Sequence, residues 1–105
     1  MPPTFDIDVS TDDGIVVARL AGELDLMASG RVTETVTSAL ASTDAARVVL
    51  DMAGVTFCDS SGLGALLDVR RAAADRDVPL VLRDVTRQVA RLLDLADVDG
   101  WLTRE

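Results

Sequence analysis

The apolar run Val48-Val49-Leu50, followed after a short loop by Asp59-Ser60-Ser61-Gly62 and then by a leucine-rich stretch, limits the folds open to this chain more than any other segment. An unbroken aliphatic run, rather than an alternating one, marks a strand covered on both faces. The spacing of Leu63, Leu66, Leu67 and Arg70 predicts a helix, continuing to about Arg76. Asp77-Val78-Pro79 ends it, because a residue before proline is pushed out of helical geometry. Leu80-Val81-Leu82 then reads as another strand. Strands joined through helices run parallel, with right-handed crossovers.

The rest of the chain extends the same alternation. Phe5, Ile7 and Val9 alternate with polar residues, as in a half-exposed edge strand. Thr11-Asp12-Asp13-Gly14 is a hairpin turn signal. Ile15 to Leu20 predicts a second, more buried strand, closed by Ala21-Gly22-Glu23-Leu24-Asp25. Val32, Val36 and Leu40 share one helical face, although Gly30 costs that helix about 1 kcal/mol relative to alanine. The third strand runs from Ala46 to Asp51. Val89, Leu92, Leu93 and Ala96 predict a third helix, and Val98 with Trp101-Leu102 a short last strand or a docked tail. The expected class is α/β, one domain over residues 1–105, with a mostly parallel sheet and an antiparallel N-terminal strand.

Composition narrows the functions. A chain of 105 residues buries roughly two-thirds of its unfolded surface, enough for one core. There are 18 acidic and 10 basic residues, a net charge of −8. That balance opposes nucleic acid and anionic membrane surfaces, and suits a protein partner with a basic patch. One cysteine, Cys58, permits no intrachain disulfide and is expected to face the core. Trp101 is expected in core or edge packing. The start Met-Pro-Pro-Thr-Phe-Asp has neither the basic nor the apolar region of a signal peptide. No apolar stretch nears the roughly 20 residues of a membrane span. A cytoplasmic protein is expected.

The serine turn carries the functional signal. A sheet of this kind gathers its sites beyond the C-terminal strand ends. Plain capping accounts for Asp59-Ser60-Ser61 without any function, because their oxygens satisfy orphan N–H groups. A capping box is missing, since Leu63 stands where Glu or Gln is needed. A nucleophilic serine needs a base, and the chain has neither histidine nor lysine. The loop lacks the phosphate-cradling glycine-lysine pattern, and Asp59 repels anions. Neither a catalytic nor a metal-ligating set is expected. A presented but unactivated serine suits modification by another protein's kinase.

At these residues the chain resembles the STAS-domain anti-sigma factor antagonists of bacteria. The resemblance rests on Gly22-Glu23-Leu24-Asp25, Val48-Val49-Leu50-Asp51, the turn from Val55 to Gly64, and the segment from Val85 to Leu95. It implies helices packed chiefly on one face of the sheet. It also implies a switch. The unphosphorylated form binds an anti-sigma factor that is itself a serine kinase, which frees a sigma factor. That kinase brings ATP and Mg²⁺, so the chain needs no cofactor of its own. It phosphorylates the serine after the aspartate, here Ser60, and a phosphatase reverses the step. Asp25 and Asp59 would lie near Ser60. Ser61 and Gly62 would shape the helix start, glycine allowing a partner to approach. Leu63 would contact the partner. Many such proteins carry a further C-terminal helix, for which the residues up to Glu105 leave no room. The alternative is a STAS regulatory subunit of a lipid transporter or a stressosome scaffold, without kinase-dependent switching.

Overall fold

The computed structural model describes residues 5–98 and 100–105. The Met1–Thr4 part of the start, used above to argue against a signal peptide, lies outside the described residues. A five-stranded sheet has the strand order β1-β2-β3-β4-β5, from Phe5–Asp12, Ile15–Leu24, Arg47–Cys58, Leu80–Arg83 and Thr103–Arg104. Only the β1–β2 pair is antiparallel; the other three are parallel. Their crossovers are α1 (Leu26–Ser42), α2 (Ser60–Ala74) and α3 (Arg87–Ala96). The hairpin turn places Asp13 and Gly14 at φ 53° and 80°, the left-handed pair that matches the twist of two joined strands.

Alternation along the strands sends Val16, Ala18, Leu20, Val48, Leu50, Met52, Leu80 and Leu82 to one face, all buried. Ala28, Val32, Val36 and Leu40 of α1, Leu63, Leu66 and Val69 of α2, and Val89 and Leu93 of α3 complete that core. Each fully buried Val or Leu contributes roughly 1.5–3 kcal/mol. Sequential strand order with right-handed crossovers puts the three helices on this face. Val49 is fully buried too but stands outside that cluster, on the other face. The same face carries the Arg19–Asp8 pair and Glu105 bridged to Arg47 and Arg83. The two arginines, Arg83 first, hold the Glu105 carboxyl below the usual carboxylate range.

Two strands run further than their patterns show. β2 continues to Leu24 and β3 to Cys58, where a closing segment and a loop were expected. The register slips twice, so that Arg19/Ala21 faces Asp51/Gly54 and Gly22/Glu23 faces Val55/Phe57. Extra residues in β3 make bulges there, and bulges erase the simple alternation that reveals a strand. Gly54 is required at one of them, since a Cβ would stand 2.9 Å from the Ala21 Cβ. Helix α2 also stops earlier than the proline alone dictates. Val78 N–H donates to Ala73 O at 2.9 Å and Asp77 N–H to Ala74 O at 3.0 Å, with Asp77 at φ 58°, a left-handed closure.

Trp101 does not enter the core. It is 59% exposed, with the Arg70 guanidinium 5.2 Å from its ring centroid. Val98 and Leu102 on either side are the buried anchors. A cation over the indole face stabilises the ring where it stands, without burial.

Candidate functional site

The bulges bring two chain ends into line. Leu24 and Cys58 are register partners at the ends of β2 and β3, and Asp59 N–H donates to Leu24 O at 3.4 Å. Each strand passes directly into a helix through an aspartate. Asp25 caps α1 at φ −109°, ψ −169°, and Asp59 caps α2 at φ −111°, ψ −171°. Asp25 Oδ1 accepts from Ala28 N–H at 3.1 Å, and Asp59 Oδ1 from Gly62 N–H at 3.0 Å. Such a cap is worth about 1 kcal/mol. The two helix N-termini therefore open side by side at the C-terminal edge of the sheet. Asp59 is the cap, and Ser60 is the first residue of the helix.

Ser60 is exposed and Ser61 half-buried. A hydroxyl in that place is open to another protein, with no histidine or lysine anywhere in the chain to deprotonate it. The positive end of α2 lies beneath it.

Two of the expected site residues point inward instead. A Cβ on Gly62 would lie 2.3 Å from Leu24 O, 2.8 Å from Cys58 Sγ and 2.8 Å from Leu24 Cγ. Gly62 thus lets α2 sit down on the ends of β2 and β3, and an approaching partner does not meet it. Leu63 is 9% exposed and belongs to the core; it braces the first turn from below rather than offering a contact. Cys58 is buried as expected. Burial first, and then the charge of Asp59, push its thiol up to about 11.

Exposed apolar groups occur where the sequence pattern drew no attention. Leu26 is 71% exposed, Met27 85% and Phe57 40%. Leu26 and Met27 fall off the Ala28, Val32, Val36, Leu40 stripe, which is the signal that marks them as surface. Leu26 lines a groove between α1 and α2 with Ser29, Gly30, Ser61, Gly64 and Ala65.

The Cys58 environment makes a direct prediction. Iodoacetamide at pH 8 should leave the folded protein unmodified and label it fully in denaturant, read by intact mass. A thiol raised in the folded state favours folding below its unfolded value and loses that contribution as pH climbs through the folded one. The contribution of Cys58 to stability should therefore stay constant with pH below about pH 9 and decline toward pH 11, and a Cys58→Ala variant should lose that decline in alkaline unfolding curves.

Known proteins share this fold. A family model described as the STAS domain matches residues 6–104. The chain is 31% identical over 90 residues to the anti-sigma F factor antagonist of Paenibacillus polymyxa, covering 86% of this chain and 77% of that protein. An anti-sigma factor antagonist from Mycobacterium paratuberculosis superposes with a TM-score of 0.82 at 21% identity, over 99% of this chain and 87% of that one. The antagonist SpoIIAA in its unphosphorylated form superposes with a TM-score of 0.81 at 21% identity, over 95% and 88% of the two chains.

Proposed function

The chain belongs to the STAS domain family of anti-sigma factor antagonists, and from that premise we propose that it is a regulatory binding protein switched by phosphorylation at Ser60. Unphosphorylated, it binds an anti-sigma factor that is a serine kinase, so that a sigma factor goes free. The kinase supplies ATP and Mg²⁺, and a phosphatase restores the binding form. The protein acts in the cytoplasm, where those partners work; among the described residues no helix is long and apolar enough to cross a membrane.

One observation carries the reading. Ser60 is exposed on the first turn of α2, next to the Asp59 cap, in a chain without histidine or lysine. The energetics agree in sign. A phosphate adds about −1.5 to −2 charges. The helix N-terminus favours that charge by roughly 0.3–1 kcal/mol, so the domain stays folded. A partner surface closed over Ser60 meets the opposite situation. An unpaired charge buried there costs several kcal/mol, and moving a complex from mostly bound to mostly free takes about 5.5 kcal/mol. A phosphate at the centre of the contact reaches that size.

Incubation with the cognate anti-sigma kinase, ATP and Mg²⁺ should add one phosphate to the intact protein by mass spectrometry. Ser60→Ala should remain unmodified. A phosphate retained by Ser60→Ala would move the site, with Ser61 the next hydroxyl along. Failure of any kinase of this class to modify the wild type would remove the switch.

A further inference from the structure

We propose that the groove between α1 and α2 is the docking site for a partner helix bearing a bulky apolar side chain flanked by arginine or lysine. The proposal rests on the reading that this end of the molecule binds a protein, and it names the chemistry of the segment that binds. The groove is open and holds about 510 Å³. Three independent features point to such an occupant.

The first is a pair of glycines that the fold does not need. Gly30 in α1 and Gly64 in α2 both line the groove. A Cβ built on either would meet nothing within 4 Å. Glycine inside a helix is destabilising relative to alanine. Gly54 and Gly62 are explained by crowding from their own chain, whereas nothing in the chain's own packing calls for these two. Glycines on both walls of a groove let an incoming helix approach closely.

The second feature is exposed apolar surface on the first turn of α1, where Leu26 lines the groove. Leu26 and Met27 stand on the first turn of α1, at 71% and 85% exposure. Apolar side chains of this size beside a groove are the usual mark of a protein contact, and an amphipathic helix laid into an apolar groove is a recurrent way to make one.

The third is the sign of the charge. Glu34 and Asp68 are the only charged residues lining the groove among the described residues. The clefts around Trp101 differ, since arginines Arg70 and Arg71 stand there among aspartates Asp75 and Asp77. A groove of one sign, in a chain of net charge −8, is complementary to a basic segment. Asp68 lies about two helical turns beyond Ser60. The basic contact therefore lies farther along α2 than the phosphate, in a groove whose lining includes Ser61. Docking in the groove extends a contact centred on Ser60, where the phosphate opposes binding.

The test uses two synthetic helical peptides of identical leucine spacing, one flanked by arginines and one by glutamates, titrated into ¹⁵N-labelled full-length protein. The arginine peptide should shift the Gly30 and Gly64 amide signals saturably, and the glutamate peptide should not. Gly64→Leu should weaken arginine-peptide binding by at least about tenfold, while its melting temperature stays level or rises. Equal response to both peptides, no binding, shifts centred on Trp101, or unchanged affinity in Gly64→Leu each overturns the proposal. The outcome is separable from the switch. Peptide docking without phosphate transfer to Ser60 would sink the switch and leave the groove. Phosphate transfer with undiminished peptide binding by Gly64→Leu would do the reverse.

Discussion

Gly62→Ala is expected to destabilise the protein by about 3 kcal/mol, at the upper end of overpacking costs. The added methyl would sit 2.3 Å from Leu24 O, a backbone atom that cannot swing aside. Relief requires α2 to lift off the ends of β2 and β3, which breaks the Asp59 N–H to Leu24 O link and the Asp59 cap on Gly62 N–H. For a domain of this size each kcal/mol shifts the melting temperature by about 4–8 °C, so the expected fall is roughly 12–24 °C. Thermal unfolding by circular dichroism measures it. Gly64→Ala, two residues along the same helix, should move the other way by about 0.5–1 kcal/mol, because its Cβ position is empty. If both variants melt together, the crowding around Gly62 is not what holds α2 in place.

The second large effect concerns binding. Ser60→Asp should weaken the anti-sigma partner's affinity by about 10²-fold or more, against the 10⁴-fold that a full bound-to-free switch requires. The melting temperature should change by no more than a degree or two, since an acidic group in the first helical turn is tolerated or mildly favourable. Isothermal titration calorimetry with the purified partner, paired with a thermal melt, reads both quantities. A variant that loses several kcal/mol of stability along with its affinity would show that Ser60 matters to the fold. A variant that keeps both would show that Ser60 lies outside the contact.

The two predictions fall on neighbouring residues and divide the site into an inner and an outer surface. Asp59 and Gly62 belong to the inner one, which seats α2 on the sheet. Ser60 and the Leu26-Met27 pair belong to the outer one. A single helical turn carries both because successive residues are about 100° apart. Leu63 completes the turn inward.

Much of this was legible in the chain alone. The stripe Val32-Val36-Leu40, the run Val48-Val49-Leu50 and the pair Val89-Leu93 each reported burial directly, because side-chain period follows backbone geometry whatever the neighbours are. The Asp-Ser-Ser-Gly turn announced a capped helix after a strand. The reach of β2 to Leu24 and of β3 to Cys58 was hidden. Those stretches contain Gly22, Gly54 and two slips of register, and a bulge answers to the strand beside it, which no local pattern encodes. Of the two places expected for Trp101, core or edge, the core fails for a related reason. Its hydrophobicity argued for the core, and the Arg70 side chain that holds it outside comes from a different element.

Local sequence determined the kinds of element, their order and a serine pair at a helix start, since helix and strand periods, capping chemistry and the absence of any histidine or lysine are properties of the chain itself. Tertiary structure alone decided that Asp25 and Asp59 cap neighbouring helices at paired strand ends, that Gly62 and Leu63 face inward, and that Gly30 and Gly64 line one acidic groove. Those facts depend on how far two strands slide past one another and how closely two helices approach, and packing between distant segments sets both.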